Sequence, residues 1–128
     1  MLVMFTYEEH TADILIVAEG KSQEEAALYA LEGLIGLMER GKKPEETLAF
    51  EGKGEDDLER AVCLLNSLIA IVDSEQLRPV RVKKVEGWKA EVEFERGPCR
   101  NQAKAATFHM GSAGIEGGKY RIRVVVDI

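Results

Sequence analysis

Between Leu58 and Val72 the apolar residues Leu58, Ala61, Val62, Leu65, Leu68, Ile69 and Val72 recur at i, i+3, i+4 and i+7 without a miss. Only a helix gathers such a set on one side. A helix with one apolar stripe must bury it against another element, so the rest of the chain has to supply that surface. Gly54-Glu55-Asp56-Asp57 leads into the helix, with Asp56 and Glu59 suited to its cap. Asn66, Ser67 and Asp73 fall off the stripe and read as solvent-facing.

A second helix opens earlier, at the capping box Ser22-Gln23-Glu24-Glu25. Its stripe is Ala27, Leu31, Leu34 and Met38, flanked by Leu28 and Ile35, and Gly41 and Pro44 stop it. Gly33 and Gly36 each cost about 1 kcal/mol relative to alanine, which points to close approach to a sheet.

The remaining segments carry strand patterns. Met1 to Tyr7 reads as an edge strand, Asp13 to Glu19 as a strand rich in β-branched residues, and Thr47 to Phe50 as a short one. Pro79 to Val85 and Trp88 to Phe94 form a hairpin across Glu86-Gly87, with Trp88, Ala90, Val92 and Phe94 alternating. Ala103 to Met110 is a further strand. The glycine-rich Gly111 to Gly118 reads as a flexible connection that lacks the lysine of a phosphate-binding loop. Lys119 to Asp127 ends the pattern, with Tyr120, Ile122, Val124 and Val126 alternating against Lys119, Arg121 and Arg123. Many strands interrupted by two helices predict an α+β fold of one domain over residues 1–128: two layers, a mostly antiparallel sheet with both helices on one face. Leu15, Val17 and Val125 fall on the other face, which makes it a candidate docking surface.

Composition narrows the setting. No apolar run approaches the roughly 20 residues that span a bilayer, and the N-terminus has no signal-peptide pattern, so a cytoplasmic protein is expected. Cys63 and Cys99 have neither metal-ligand nor disulfide-framework spacing and read as free thiols. The net charge of −6 conceals a split: residues 1–77 hold 6 Lys/Arg against 17 Asp/Glu (−11), residues 78–128 hold 11 against 6 (+5). That split fits a basic face for RNA, a bipolar surface for a protein partner, or strand positions that simply happen to be basic.

Chemistry concentrates at the chain's two ends. Glu9-His10-Thr11-Ala12-Asp13-Ile14 places an imidazole, a hydroxyl and carboxylates where an apolar strand begins, and Val124-Val125-Val126-Asp127-Ile128 places a carboxylate where another ends. If Ile14 and Ile16 face the helices together with Val124 and Val126, Asp13 and Asp127 both face away. Antiparallel neighbours would then bring them to one end of the sheet, beside the terminal carboxylate of Ile128. Two adjoining carboxylates share a proton or hold a cation, and all-oxygen donors favour a hard divalent ion. The alternatives from the residues alone are that Asp13 is a turn cap and Asp127 a solvated terminus, and that His10 and His109 bond to backbone.

His10-Thr11-Ala12-Asp13-Ile14, Lys104-Ala105-Ala106-Thr107-Phe108-His109 and the final Val125-Val126-Asp127-Ile128, in that order, resemble the three signatures of the archease family. The resemblance spans nearly the whole chain, including the capped first helix and the Asp57-Leu58 opening of the second. It implies a small α/β protein that assists the RtcB-type tRNA-splicing RNA ligase without being the ligase. Its implied role is to promote metal-dependent guanylylation of the ligase's active-site histidine. It also implies a divalent-metal site, of calcium type, at Asp13, Asp127 and Ile128, with no catalytic residue on the chain. Two features depart from the family pattern: Cys63-Leu64-Leu65-Asn66 stands where members usually carry a tryptophan, and the loop before the last strand is glycine-rich. His109 is not shared by all members. Two rivals remain: a metal-dependent phosphoesterase or nuclease using Asp13, Asp127 and His10, and an RNA-binding module using Arg78, Arg81, Lys83, Lys84, Arg121 and Arg123.

Overall fold

A computed structural model describes residues 5–10 and 13–128. Two strands, β1 (Phe5–His10) and β2 (Asp13–Gly20), lead into α1 (Gln23–Ile35). Then come β3 (Glu46–Glu51), α2 (Asp57–Glu75), β4 (Leu77–Glu86), β5 (Lys89–Arg96), β6 (Ala105–Glu116) and β7 (Lys119–Asp127). Every described strand pairing is antiparallel, and the α+β class stands. The strands divide into two sheets, ordered β1-β2-β7-β6 and β3-β5-β4, where the sequence suggested one. Alternation reveals which side of a strand is apolar but not which strand lies beside it.

Both helices touch both sheets. Accordingly α1 is buried nearly all round, from Ala26 to Ile35, rather than along one stripe. Ile16, Ala18, Ile122, Val124 and Val126 of the first sheet and Ala90, Val92 and Phe94 of the second are fully buried with Leu31, Leu34 and Leu68 of the helices. Ser22 caps α1, its Oγ accepting from the Glu25 amide at 3.1 Å, and Glu25 in return accepts from the Lys21 amide at 2.8 Å. Asp56 caps α2 in the same way, accepting from the Glu59 amide at 2.8 Å. The Asp57 carboxylate takes the Tyr120 hydroxyl at 2.5 Å and the Arg60 guanidinium at 2.8 Å, tying the start of α2 to β7. Burial first, and that carboxylate second, hold the Tyr120 phenol far above its ordinary range.

Three expectations change. Gly111 to Glu116 is strand, not a flexible connection, and only Gly117-Gly118 turns, with φ +57° and +81°. Successive positive φ values suit the two-residue hairpin turn that follows the sheet's twist. The β4–β5 turn falls at Gly87-Trp88, one residue later than read. Leu15 and Val125, read as part of an open apolar face, are only 5% and 6% exposed. They do point away from the helices, outside the main core. They pair with each other at the middle of a four-stranded sheet.

Side chains occupy the outer backbone of two edge strands. Glu32 of α1 accepts from the Val82 amide at 3.1 Å and pairs with Arg40 at 3.0 Å, and Arg40 donates to the Val80 carbonyl at 2.6 Å. On β6 the same task falls to Asn66. Its amide nitrogen donates to the Ala106 carbonyl at 3.0 Å, and its oxygen accepts from the Ala106 amide at 2.8 Å. Asn66 is therefore not the solvent-facing residue its place off the stripe suggested. It mimics a neighbouring strand, which blunts an edge that would otherwise recruit one. Among the described residues no helix is long and apolar enough to cross a membrane.

Candidate functional site

The strand phases place Asp13 and Asp127 directly opposite each other, as a register pair across β2 and β7. Ile16, Val124 and Val126 point inward with no exposure, and Ile14 packs partly against the same core, so the odd-numbered partners must point outward. β1 and β6 flank the pair: His10 lies opposite Asp13, and Ala105 opposite Asp127. The Lys104 amide donates to the Asp127 carbonyl at 2.7 Å, and Asn66 fastens Ala106, which pairs with Val126. Asp127 is thus held by a strand on each side, and β6 is itself held by α2.

The two carboxyl groups lie within hydrogen-bonding reach of each other. That contact, above all, raises the Asp127 carboxyl above its ordinary value; partial desolvation and the Asp13 charge add to the rise, and Lys104 opposes it. The pair fits a hard divalent cation on the chemistry of its donors, which are oxygens only and unable to carry two full charges comfortably side by side. Ile128 follows directly and is 36% exposed. Among the described residues no three His, Cys, Asp or Glu side chains gather as a metal-binding group. The side chain of His10, and Thr11 and Ala12 altogether, lie outside the described residues.

His109 is not beside the pair. On β6, Thr107 pairs with Val125 and Ser112 with Arg123, so the four residues Phe108 to Gly111 stand opposite Val124 alone. The strand arches there. Met110 takes φ +58°, a left-handed conformation that costs a residue with a Cβ about 1–2 kcal/mol. Phe108 is 55% exposed and Met110 70%. Sequence reading took this segment as the end of a regular strand. The sole signal of an arch was an unfavourable one, Phe-His-Met-Gly across a stretch that alternation should have kept half-buried.

The basic residues offered as an RNA surface are largely engaged. Arg78 pairs with Glu95 at 3.2 Å, Arg81 with Glu93, and Lys84 with Glu86 at 2.8 Å and Glu91 at 3.5 Å. Bulges at Pro79/Arg81 and Val82/Lys84 make this ladder possible. They let basic residues spaced by three on β4 meet acidic residues spaced by two on β5. Arg121 pairs with Glu19 at 2.6 Å across β7 and β2, and Lys119 joins at 3.4 Å. The hydrogen bond from Arg121 holds the Glu19 carboxyl below its ordinary value of 4.5, so its stabilising effect is complete above that value and disappears as pH falls through the depressed one. The stability gap between the wild type and Glu19→Gln should therefore be widest near pH 7 and close in acid, as read by urea midpoints at each pH. A constant gap would mean that the ion pair contributes nothing.

Comparison with known proteins adds the following. Residues 5–128 match the model of the Archease protein family (MTH1598/TM1083). The chain is 32% identical over 137 residues to the protein archease of Aeropyrum pernix, covering 95% of each chain. It is 30% identical over 139 residues to that of Sulfolobus acidocaldarius, covering 99% of this chain and 100% of the relative. Two solved structures share its fold. One is the crystal structure of an archease, possible chaperone, from Thermotoga maritima (TM-score 0.66, 24% identity, 98% of each chain). The other is the solution structure of Methanobacterium thermoautotrophicum protein 1598 (TM-score 0.62, 23% identity, 99% of this chain and 100% of that one).

Proposed function

Because this chain belongs to the archease family, we propose that it activates an RtcB-type tRNA-splicing RNA ligase and is not itself an enzyme. It promotes metal-dependent guanylylation of the ligase's active-site histidine in the cytoplasm, and so sustains turnover in tRNA splicing and RNA repair. The observation that supports this reading is the register pair of Asp13 and Asp127 on the outer face at the end of the first sheet. Asp13, Asp127 and a main-chain oxygen of Ile128 are the proposed ligands of a divalent ion, with calcium, magnesium and manganese the candidates. When bound, such an ion stabilises charge on phosphate oxygens during nucleotidyl transfer. The chain's own work is to present oxygen donors at a fixed spacing on an exposed end, backed by two flanking strands and the Asn66 clamp. The description of the Thermotoga protein as a possible chaperone suits a molecule that acts through another.

The test is ligase guanylylation with GTP and Mn²⁺, with and without this protein. A faster reaction and repeated turnovers are expected, with no consumption of GTP or cleavage of RNA by the protein alone. Robust turnover by the isolated chain, abolished by Asp13→Ala, would replace the proposal with a metal-dependent phosphoesterase.

A further inference from the structure

The edges of the two sheets are not guarded alike. Glu32 and Arg40 occupy the outer backbone of β4, and Asn66 occupies that of β6 at Ala106. Past the arch, β6 runs on from Ser112 to Glu116 with β7 as its one paired strand. β7 turns the backbone groups of its odd-numbered residues toward β6, as the bond from the Lys104 amide to the Asp127 carbonyl shows. Ser112, Gly114 and Glu116 face Arg123, Arg121 and Lys119, so their amides and carbonyls point to β7 while those of Ala113 and Ile115 point outward. Among the described residues nothing bonds to these outward groups. The stretch has no lysine or proline, the usual guards of an edge, and its sole charge is Glu116 at the end.

We propose that this edge pairs antiparallel with the same edge of a second copy of the chain, about a two-fold axis at Gly114. Setting Ala113 against Ile115 of the second copy is the register that engages every outward group of the regular strand, in two reciprocal pairs. The side chains then match on both faces. On the inner face Ile115, 79% exposed, comes beside the second copy's Ala113, which packs against the buried core, so apolar contact continues across the seam. On the outer face Glu116 comes opposite Ser112 of the second copy, one strand away from its Arg123. Neither Glu116 nor Arg123 has an ion pair among the described residues, and two strand spacings, about 10 Å, are within the combined reach of their side chains. At the axis Gly114 meets Gly114, where a Cβ would have nothing within 4 Å, so no side chain obstructs the approach. An unrelated strand can take the same hydrogen bonds; a second copy also brings a carboxylate to Arg123 and an apolar side chain to Ala113, twice over. Arg121, opposite Gly114, is six residues from Asp127, about 20 Å along β7. Both carboxylate pairs therefore stay open, at opposite ends of the dimer, and the inference does not depend on the ligase-activator reading. One strand pair is a small interface, so the association is weak and concentration-dependent.

The test is sedimentation equilibrium of the full chain. The wild type should pass from monomer to dimer between about 1 μM and about 1 mM, the range of small transient interfaces. Ile115→Lys, which places a charge on the seam, should raise the dimer dissociation constant at least about tenfold. Ala113→Pro should do the same, because it deletes an outward amide while leaving every bond to β7 in place. The melting temperature of each variant, measured at a dilution where the wild type is monomeric, should match the wild type. Glu116→Arg should weaken the dimer by setting two cations together, and adding Arg123→Glu should restore it, since the swap returns opposite charges to each pair. A wild type that stays monomeric up to about 1 mM overturns the proposal. So does a dimer that survives Ile115→Lys and Ala113→Pro, or one that the double swap fails to restore. A monomeric wild type whose binding to the ligase is weakened by Ala113→Pro would show that the edge takes a strand of another protein, and the second copy is then the wrong occupant.

Discussion

Replacing either Asp13 or Asp127 by asparagine should weaken divalent-ion binding by roughly 100-fold or more, since even residues behind a ligand commonly contribute 10–100-fold. Stimulation of ligase guanylylation should fall to background. Asparagine preserves the size and much of the hydrogen bonding of the side chain but removes the charge. In the metal-free protein that charge works against the fold, because the Asp13 carboxylate is what raises the Asp127 carboxyl. The melting temperature in chelator should therefore stay level or rise in both variants, which separates loss of activity from loss of structure. Calorimetric titration with Mn²⁺ and Ca²⁺, thermal unfolding in chelator and the guanylylation assay together decide the matter. If both variants stimulate like the wild type, the carboxylate pair has no part in the activity, whatever it binds.

That pair could be read from the sequence because its information is local and repeated. Ile14 and Ile16 set the phase of one strand, Val124 and Val126 that of the other, and a period of two then leaves Asp13 and Asp127 no choice of face. The α2 stripe and both N-caps were legible for the same reason. Bulges are not, since they consist of residues that look like any others. Nothing in Arg78, Arg81 and Lys84 announces that two bulges will align them with Glu95, Glu93 and Glu91, and so a ladder of neutralised charges looked like a basic face. The arch at Phe108 to Gly111 was hidden likewise, and its glycine was read as flexibility at the start of the wrong loop. Strand order was out of reach too. The apolar halves of β4 and β5 reveal that they cover something, not that they form a separate sheet with β3.

Asn66 is the residue whose meaning changed most, and its replacement should have the larger structural consequence. Asparagine is a poor helix former because its side chain competes for backbone partners, so an asparagine in the middle of a 19-residue helix needs a compensating contact. Here the contact is double, to both backbone groups of Ala106, and part-buried. Each hydrogen bond is worth about 1 kcal/mol net, and stranding a partly buried amide or carbonyl adds to the loss. Alanine recovers part of this through better helix propensity. Asn66→Ala should therefore lose about 2 kcal/mol, a fall of roughly 6–8 °C in melting temperature for a chain of this size. Asn66→Asp retains the acceptor for the Ala106 amide but sets a carboxylate against the Ala106 carbonyl, so it should be at least as damaging at pH 7. The loss should also be directional. Ala106 pairs with Val126, next to Asp127, so loosening it frees the strand that flanks the carboxylate pair. Hydrogen exchange at the Ala106 amide should accelerate before the rest of β6, and divalent-ion affinity should drop although no ligand has been touched. A variant that melts within 2 °C of the wild type, with that amide still protected, would show that strand pairing alone holds β6 in place.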